Sequence, residues 1–204
     1  MKMETLHDTF DEMDKHLEMD DKPSFYFNEL SDRPIFRSYP FYMLADLKMT
    51  RQSPKHHPEG NVWNHTMLVL DEAAKVKDQS TDKRAFMWAA LLHDIGKPGT
   101  TKIRKGRITA YGHDVLGAEL SEKFLCEFTN DEAFVTKVVS FVRWHMQILY
   151  VVNDLPLADI NAMKAQSDIR DIALLGLCDR LGRAGQDRIA EENNIVKFME
   201  KCLS

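Results

Sequence analysis

The chain has 204 residues, 44% hydrophobic and 29% charged, with a formal net charge of −5, the make-up of a globular protein with enough apolar material for one real core. The acidic balance argues against a general nucleic-acid-binding surface, so double-stranded DNA is not an expected partner, while a local basic patch and an RNA end stay open. The N-terminal MKMETLHDTFDEMDKHLEMDD lacks the continuous apolar core of a signal peptide, no later run is long enough to span a bilayer, and Cys126, Cys178 and Cys202 have no paired spacing. The expectation is a cytoplasmic chain with reduced cysteines and no membrane partner.

Residues 1–22 are acidic, with Leu6, Phe10, Met13 and Leu17 at helical spacing. They predict a short amphipathic helix that caps the domain or mediates self-association, including a homo-oligomer. Residues 23–58 are Pro-punctuated aromatic segments with a short helix over 41–47, and RQSPKHHPEG then reads as an ordered loop. NVWNHTMLVLDEAAKVK carries an apolar face with Asn61 as its N-cap and His65 one turn inside. The central stretch, AFMWAALLHDIGKPGTT over 85–101, reads as a buried helix that ends on His93 and Asp94, with Gly96 as a left-handed C-terminal cap.

Residues 99–112 place Lys-Gly between β-branched residues, which predicts a small hairpin or an ordered excursion. His113 opens the helix GHDVLGAELSEKFLCEF, and Asn130 caps DEAFVTKVVSFVRWHM, which delivers His145 near its end. Ser167 caps DIRDIALLGLCDRLGRAG, in which Asp179 sits deep in an apolar run. A last helix over 186–203 has a polar first half and reads as a solvated outer element. The fold class is all-α, with residues 1–40 as an N-terminal extension and 41–204 as the domain, its motifs within 61–185.

The polar residues that these apolar helices carry inward are His65, His93, Asp94, His113, His145 and Asp179. Buried groups of this kind need partners, and carbonyls at a helix end favour a cation beside His93 and Asp94. A mixed nitrogen and oxygen set without thiolates suits one or two divalent ions among Mn, Ni, Fe, Co, Mg and Zn, used catalytically rather than structurally.

The order His65, His93-Asp94 followed by Ile95-Gly96, then Asp179 resembles the HD-domain superfamily of metal-dependent phosphohydrolases. HHPEGNVWNHTMLVLDEA, LLHDIGKP, GRITAYGHDVLGAEL, VRWHM and CDRLGRA are similar to the HD domain attached to bacterial CCA-adding tRNA nucleotidyltransferases. That resemblance implies an HD-domain helical bundle. It implies a first metal held by His65, His93, Asp94 and Asp179, and a second bridged by Asp94 with His113 and His145. Residues 1–40 leave no room for a nucleotidyltransferase head, so CCA addition is not expected.

The implied activity is hydrolysis of a phosphomonoester or phosphodiester of a phosphorylated small molecule, a nucleotide or an RNA end: a 2',3'-cyclic phosphodiesterase, nucleotidase or phosphatase. Asp94, Lys97 and Asp114 are the candidate catalytic residues, Asp114 as a hydrogen-bond acceptor or proton shuttle beside His113. Lys97, Arg143 and Arg183 are the candidate phosphate-binding cations. The competing reading of Lys97 is a lysine at a helix end, that of Arg143 and Arg183 surface ion pairs, and that of His56 and His57 a loop-structuring role. At the level of the whole chain the competitors are a di-iron HD-domain oxygenase and a non-catalytic, metal-stabilised nucleotide- or RNA-binding module.

Overall fold

The computed structural model describes residues 5–204; the first four positions of the expected N-terminal helix lie outside them. The architecture is all-α, with a single two-stranded hairpin among the described residues. Its centre is α5 (Lys83–Leu92), in which every residue from 85 to 92 is buried. A helix apolar on all sides must be surrounded by other helices. The surrounding helices are α1 (Leu6–Met19), α4 (Val62–Ala74), α8 (Glu132–Trp144) and α11 (Ile169–Leu181), each in contact with α5. A second tier is built by α7 (His113–Cys126), which packs on α8, and by α12 (Arg188–Leu203), which packs on α11 and α9 (Gln147–Val152). The remaining α-helical pieces are α2 (Ser24–Leu30), α3 (Tyr42–Ala45), α6 (Lys97–Thr100) and α10 (Ile160–Gln166), with short 3-10 turns at Pro34–Arg37, Asp46–Met49 and Lys77–Gln79.

The N-terminal helix follows its predicted period: Phe10, Met13 and Leu17 are buried while Leu6 stays exposed. Phe10 stacks on Trp88 of α5 at 4.7 Å and on Phe128 at 4.5 Å, and Trp88 Nε1 donates to Asp14 Oδ1 at 2.6 Å. An indole buried beside a carboxylate keeps its one donor satisfied, so α1 caps the bundle by apolar and polar contact together. The other two indoles are also buried, with Trp63 donating to Asn28 and Trp144 to Gln166.

Asn61 caps α4 through a bond accepted from Asn64 N at 2.9 Å. Two caps fall one residue later than the sequence suggests: Asp131 rather than Asn130 caps α8, and Asp168 rather than Ser167 caps α11. In each pair the carboxylate is the residue whose oxygen reaches the first free N–H groups, where negative charge is favoured. Ser167 instead closes α10 and bonds Ser140 across the fold. The last helix is less solvated than expected, since Phe198 and Cys202 enter the core and Glu191 is buried against Arg180 at 2.9 Å.

The Lys-Gly turn joins β1 (Lys102–Arg104) to β2 (Arg107–Thr109), pairing Lys102 with Thr109, Ile103 with Ile108 and Arg104 with Arg107. Lys105 and Gly106 both have positive φ, 48° and 75°, as a tight two-residue hairpin turn requires.

Burial separates the three thiols. Cys178 and Cys202 are enclosed and their pKa values are raised by that burial, whereas Cys126 is exposed. A thiolate-selective reagent applied to the native protein should therefore label Cys126 alone, and all three cysteines once guanidinium has unfolded it, with peptide mass spectrometry as the readout.

Candidate metal centre

The site forms where the ends of α5 and α8, the start of α7, the first turn of α4 and the last turn of α11 converge. α5 does not stop at a left-handed glycine. His93 is its C-cap with helical φ and ψ, and Gly96 is right-handed, with φ −80° and ψ −12°. Gly96 is required for a different reason: a Cβ there would lie 2.2 Å from His113 O and 2.6 Å from Gly117 N. The turn that carries His93 and Asp94 thus touches the first turns of α7 backbone to backbone, and the short α6 starts immediately afterwards with Pro98 in its first turn.

Three histidines are anchored by one local device. His93 Nδ1 lies 2.9 Å from Ala90 O, His113 Nδ1 2.7 Å from Ala110 O, and His145 Nδ1 2.6 Å from Val142 O. A carbonyl only accepts, so each Nδ1 donates, and each neutral ring keeps its lone pair on Nε2. For His93 and His145 the acceptor belongs to the last turn of a helix, where carbonyls lack intrahelical partners. The fourth ring, His65, has Nδ1 3.1 Å from Glu59 Oε1.

All four Nε2 atoms surround Asp94. Its Oδ2 is 3.2 Å from His93 Nε2 and 3.8 Å from His65 Nε2, while its Oδ1 is 3.4 Å from His113 Nε2 and 4.0 Å from His145 Nε2. Asp179 Oδ1 closes the first group at 2.9 Å from His65 Nε2. His65, His93 and Asp179 form one group of clustered ligand atoms, and Asp94, His113 and His145 form another.

These residues fit divalent cations on the structure's own chemistry. His113 Nε2 and His145 Nε2 face each other at 3.2 Å, an approach of two lone pairs that needs a positive charge between them. His93 Nε2 is fully buried without a hydrogen bond, and so is Asp94 Oδ2 although Lys97 Nζ lies 2.6 Å away. Buried polar atoms left this way are rare unless something binds them. The donor set of imidazole nitrogen and carboxylate oxygen suits first-row divalent ions.

The electrostatics follow from burial in this cluster. Burial alone would push the Asp94 carboxyl up, but Lys97 and His93 bring it well below the usual carboxylate range, and Arg183 with His65 does the same for Asp179. His145 is lowered to about 4 by burial and by its imidazole neighbours, and burial also lowers His113. His65 runs the other way: burial opposes its charge, but the flanking carboxylates of Asp179 and Glu59 raise it.

Above the cluster lies a cavity of about 570 Å³. Asp94, His113, His145 and Asp179 are in its floor, Arg51, Gln52, His56 and His57 in one wall, and Met146, Leu149, Tyr150 and Leu155 in another. Lys97 and Arg183 reach this space: Lys97 Nζ donates to Gln52 Oε1 at 2.6 Å, and Arg183 Nη2 to Asp179 Oδ2 at 3.0 Å with its Nε left unbonded. Two of the sequence candidates are placed elsewhere. Asp114 and Arg143 bond each other at 2.6 Å, Arg143 covers the Trp144 ring, and neither lines the cavity.

Sequence reading missed Glu59, and gave His57 no part beyond its loop. Glu59 Oε1 accepts from His57 Nδ1 at 2.8 Å while also meeting His65, and burial and Lys97 lower His57 to about 4. The one signal was the ordered PKHHPEG loop, which Asn64 of α4 ties down by donating to Glu59 O at 3.0 Å.

A model of the HD domain family matches residues 62–183. The multifunctional CCA protein of Halorhodospira halophila is 38% identical over 95 residues, 47% of this chain and 21% of its own length. That of Methylococcus capsulatus is 28% identical over 160 residues, 78% of this chain and 32% of its own length. The A-adding tRNA nucleotidyltransferase of Deinococcus radiodurans is 34% identical over 89 residues, 40% of this chain and 20% of its own length. The chain therefore spans between about a fifth and a third of these curated relatives, and the likeness concerns one segment of each.

Replacing Gly96 with alanine tests the backbone contact that sets the site. Because the clash is with main chain, the substitution should cost about 1–3 kcal/mol or more, read as a lower urea midpoint at unchanged m-value; an unchanged midpoint would show that α6 and α7 can separate freely.

Proposed function

The chain belongs to the HD-domain family, and from that premise we propose that it is a metal-dependent phosphohydrolase acting on a phosphomonoester or phosphodiester of a nucleotide or RNA end. The observation that carries the reading is the pairing of two features in one cavity. Asp94 turns one oxygen to His65 and His93 and the other to His113 and His145, and the same cavity receives Lys97 and Arg183. A floor built for cations beside further fixed cations suits a multiply charged oxyanion, repels a cationic ligand and gives a neutral one no charge attraction.

His65, His93, Asp94 and Asp179 would hold one divalent ion, and Asp94, His113 and His145 a second. Such ions supply charge for a phosphoryl oxygen and lower the pKa of bound water. The chain's own residues do the rest. Lys97 and Arg183 bind non-bridging phosphate oxygens and orient the ester, as charge-assisted donors do best. His57, neutral at pH 7 and donating through Nδ1 to Glu59, keeps Nε2 as an acceptor on the cavity wall. Asp114 and Arg143 brace the first turn of α7 against α8, which holds His113 in place without touching the ester. The apolar wall of Met146, Leu149 and Leu155 excludes water and offers a surface for a base or another flat group.

2',3'-Cyclic nucleotides, 2'- and 3'-nucleotides and p-nitrophenyl phosphate, each with Mn, Ni, Co, Fe, Mg or Zn, form the first panel. The relatives, CCA proteins and a tRNA nucleotidyltransferase by name, support RNA-end chemistry within that panel. Oxygen uptake by iron-loaded protein without ester hydrolysis would favour the oxygenase alternative, and a nucleotide-induced rise in melting temperature without turnover would favour the binding module.

Asp94→Ala should leave a helical protein by circular dichroism but remove metal binding by elemental analysis and abolish hydrolysis; an active variant would refute the site. Arg183→Ala should act mainly on KM, raising it about tenfold or more, in line with the loss of about 1.5–3 kcal/mol for one charged hydrogen bond, with a smaller change in kcat.

A further inference from the structure

The β1–β2 hairpin carries charge for which the fold has no internal use. Lys102, Arg104, Lys105 and Arg107 fall within six residues and are all exposed. The segment 99–112 holds no acidic residue, and none of the four forms an ion pair among the described residues. Register makes this worse: Arg104 stands directly opposite Arg107, and like charges in that position destabilise a strand pair. A two-stranded hairpin is marginal by itself, and Ile103, 71% exposed, contributes little burial to offset the repulsion. An anion lying across the ladder would remove it.

The hairpin is also continuous with the cavity. Ile108, Thr109 and the two residues that follow form part of the cavity wall, and Tyr111, 69% exposed, stands at its rim with the Arg104 guanidinium 5.7 Å from its ring. At about 3.3 Å per residue the three-residue strands carry the turn about 10 Å away from that wall. The cavity has the size of a site for one small ligand, and the cations extend outward from it in a line. On a chain of net charge −5, this concentration is a local exception.

We propose that the hairpin is a phosphodiester-binding arm: it grips the backbone of a single-stranded oligonucleotide whose terminal nucleotide enters the cavity. The proposal rests on the reading of the cavity as a phosphoester site, and narrows its substrate from a free nucleotide to a chain end. Lys102, Arg104, Lys105 and Arg107 contact successive phosphates, and Tyr111 gives the base next to the terminal one a face to stack on, the combination that serves single strands without regard to sequence. A duplex end would have to unpair before its terminal residue could enter.

The test compares wild type with a variant in which Lys102, Arg104, Lys105 and Arg107 are all replaced by glutamine. Positions this exposed tolerate the change, and an unchanged melting temperature serves as the control. Binding of a fluorescein-labelled ten-nucleotide single-stranded RNA with a 3'-phosphate is read by anisotropy in EDTA, so that it does not depend on turnover. Four phosphate contacts predict a slope of about −2.8 in log affinity against log salt, or about a 50-fold loss between 50 and 200 mM; the variant should lose most of that slope and bind about tenfold or more weakly. With metal, its kcat/KM should fall on the oligonucleotide and hold on the mononucleotide. Arg104→Lys with Arg107→Lys keeps the charge and should keep the binding.

Equal loss on mononucleotide and oligonucleotide, no loss on either, or displacement by poly-glutamate as effective as by RNA of matched charge would overturn the proposal. If no ester is hydrolysed under any metal, the phosphohydrolase reading fails while the anisotropy result still decides whether the arm binds.

Discussion

The whole arrangement depends on one buried negative charge. Asp94 is 1% exposed just past the end of a helix buried at every residue from 85 to 92, a position where a carboxylate has no water to solvate it and must be met by positive charge. Lys97 comes within 2.6 Å of it, Asp179 with Arg183 extends the alternation of charge outward, and the four imidazoles that turn their Nε2 atoms toward it add nitrogen donors that deepen its demand for a cation. A set of this kind cannot be assembled from one element. It requires five helices to end, begin or cross at one point, which accounts for the interruption of α5, the immediate restart at α6 and the tight approach of α7.

The histidine anchors explain how such a cluster stays ordered. Three rings use the carbonyl three residues upstream, so their orientation is fixed by the local turn. Only His65, in the first turn of α4 where the carbonyl three residues upstream is already bonded by Thr66, needs a partner from elsewhere, and the loop before α4 provides Glu59. The loop therefore belongs to the site as much as the helices do. It carries His57 into the cavity wall and ties His65, and through Ala184 N bonded to Glu59 Oε2 it also meets the turn after α11.

What was legible in the sequence divides along the range of the interactions. The helices showed themselves by apolar period, because α1, α4 and α8 each bury an apolar face; α5 showed itself by an apolar run rich in the helix-favouring alanine, leucine and methionine. The hairpin was readable from Lys105-Gly106 because positive φ at two consecutive residues has a compositional signature. The six inward polar residues stood out against apolar helices, and the structure gathers all six. Interactions that depend on packing left no such mark: Asp114 and Arg143 are 29 positions apart and meet only because α7 lies on α8. Gly96 looked like a helix cap since cap and close contact both demand glycine, and only the position of α7 tells them apart. The caps at Asp131 and Asp168 were displaced by one residue because neighbouring side chains of similar capping strength compete.

The contact between Gly96 and Gly117 has a further meaning for how such a site varies. Gly117 N lies 2.6 Å from the position a Gly96 Cβ would need, and a Cβ on Gly117 would in turn fall 3.5 Å from Gly96 N and 3.6 Å from His93 O. The spacing between the two halves of the cluster is thus a ruler made of main chain, indifferent to which side chains line the chamber above. Substitutions in the walls can retune what enters without moving the floor, so one rigid cradle can be inherited by proteins that handle different esters.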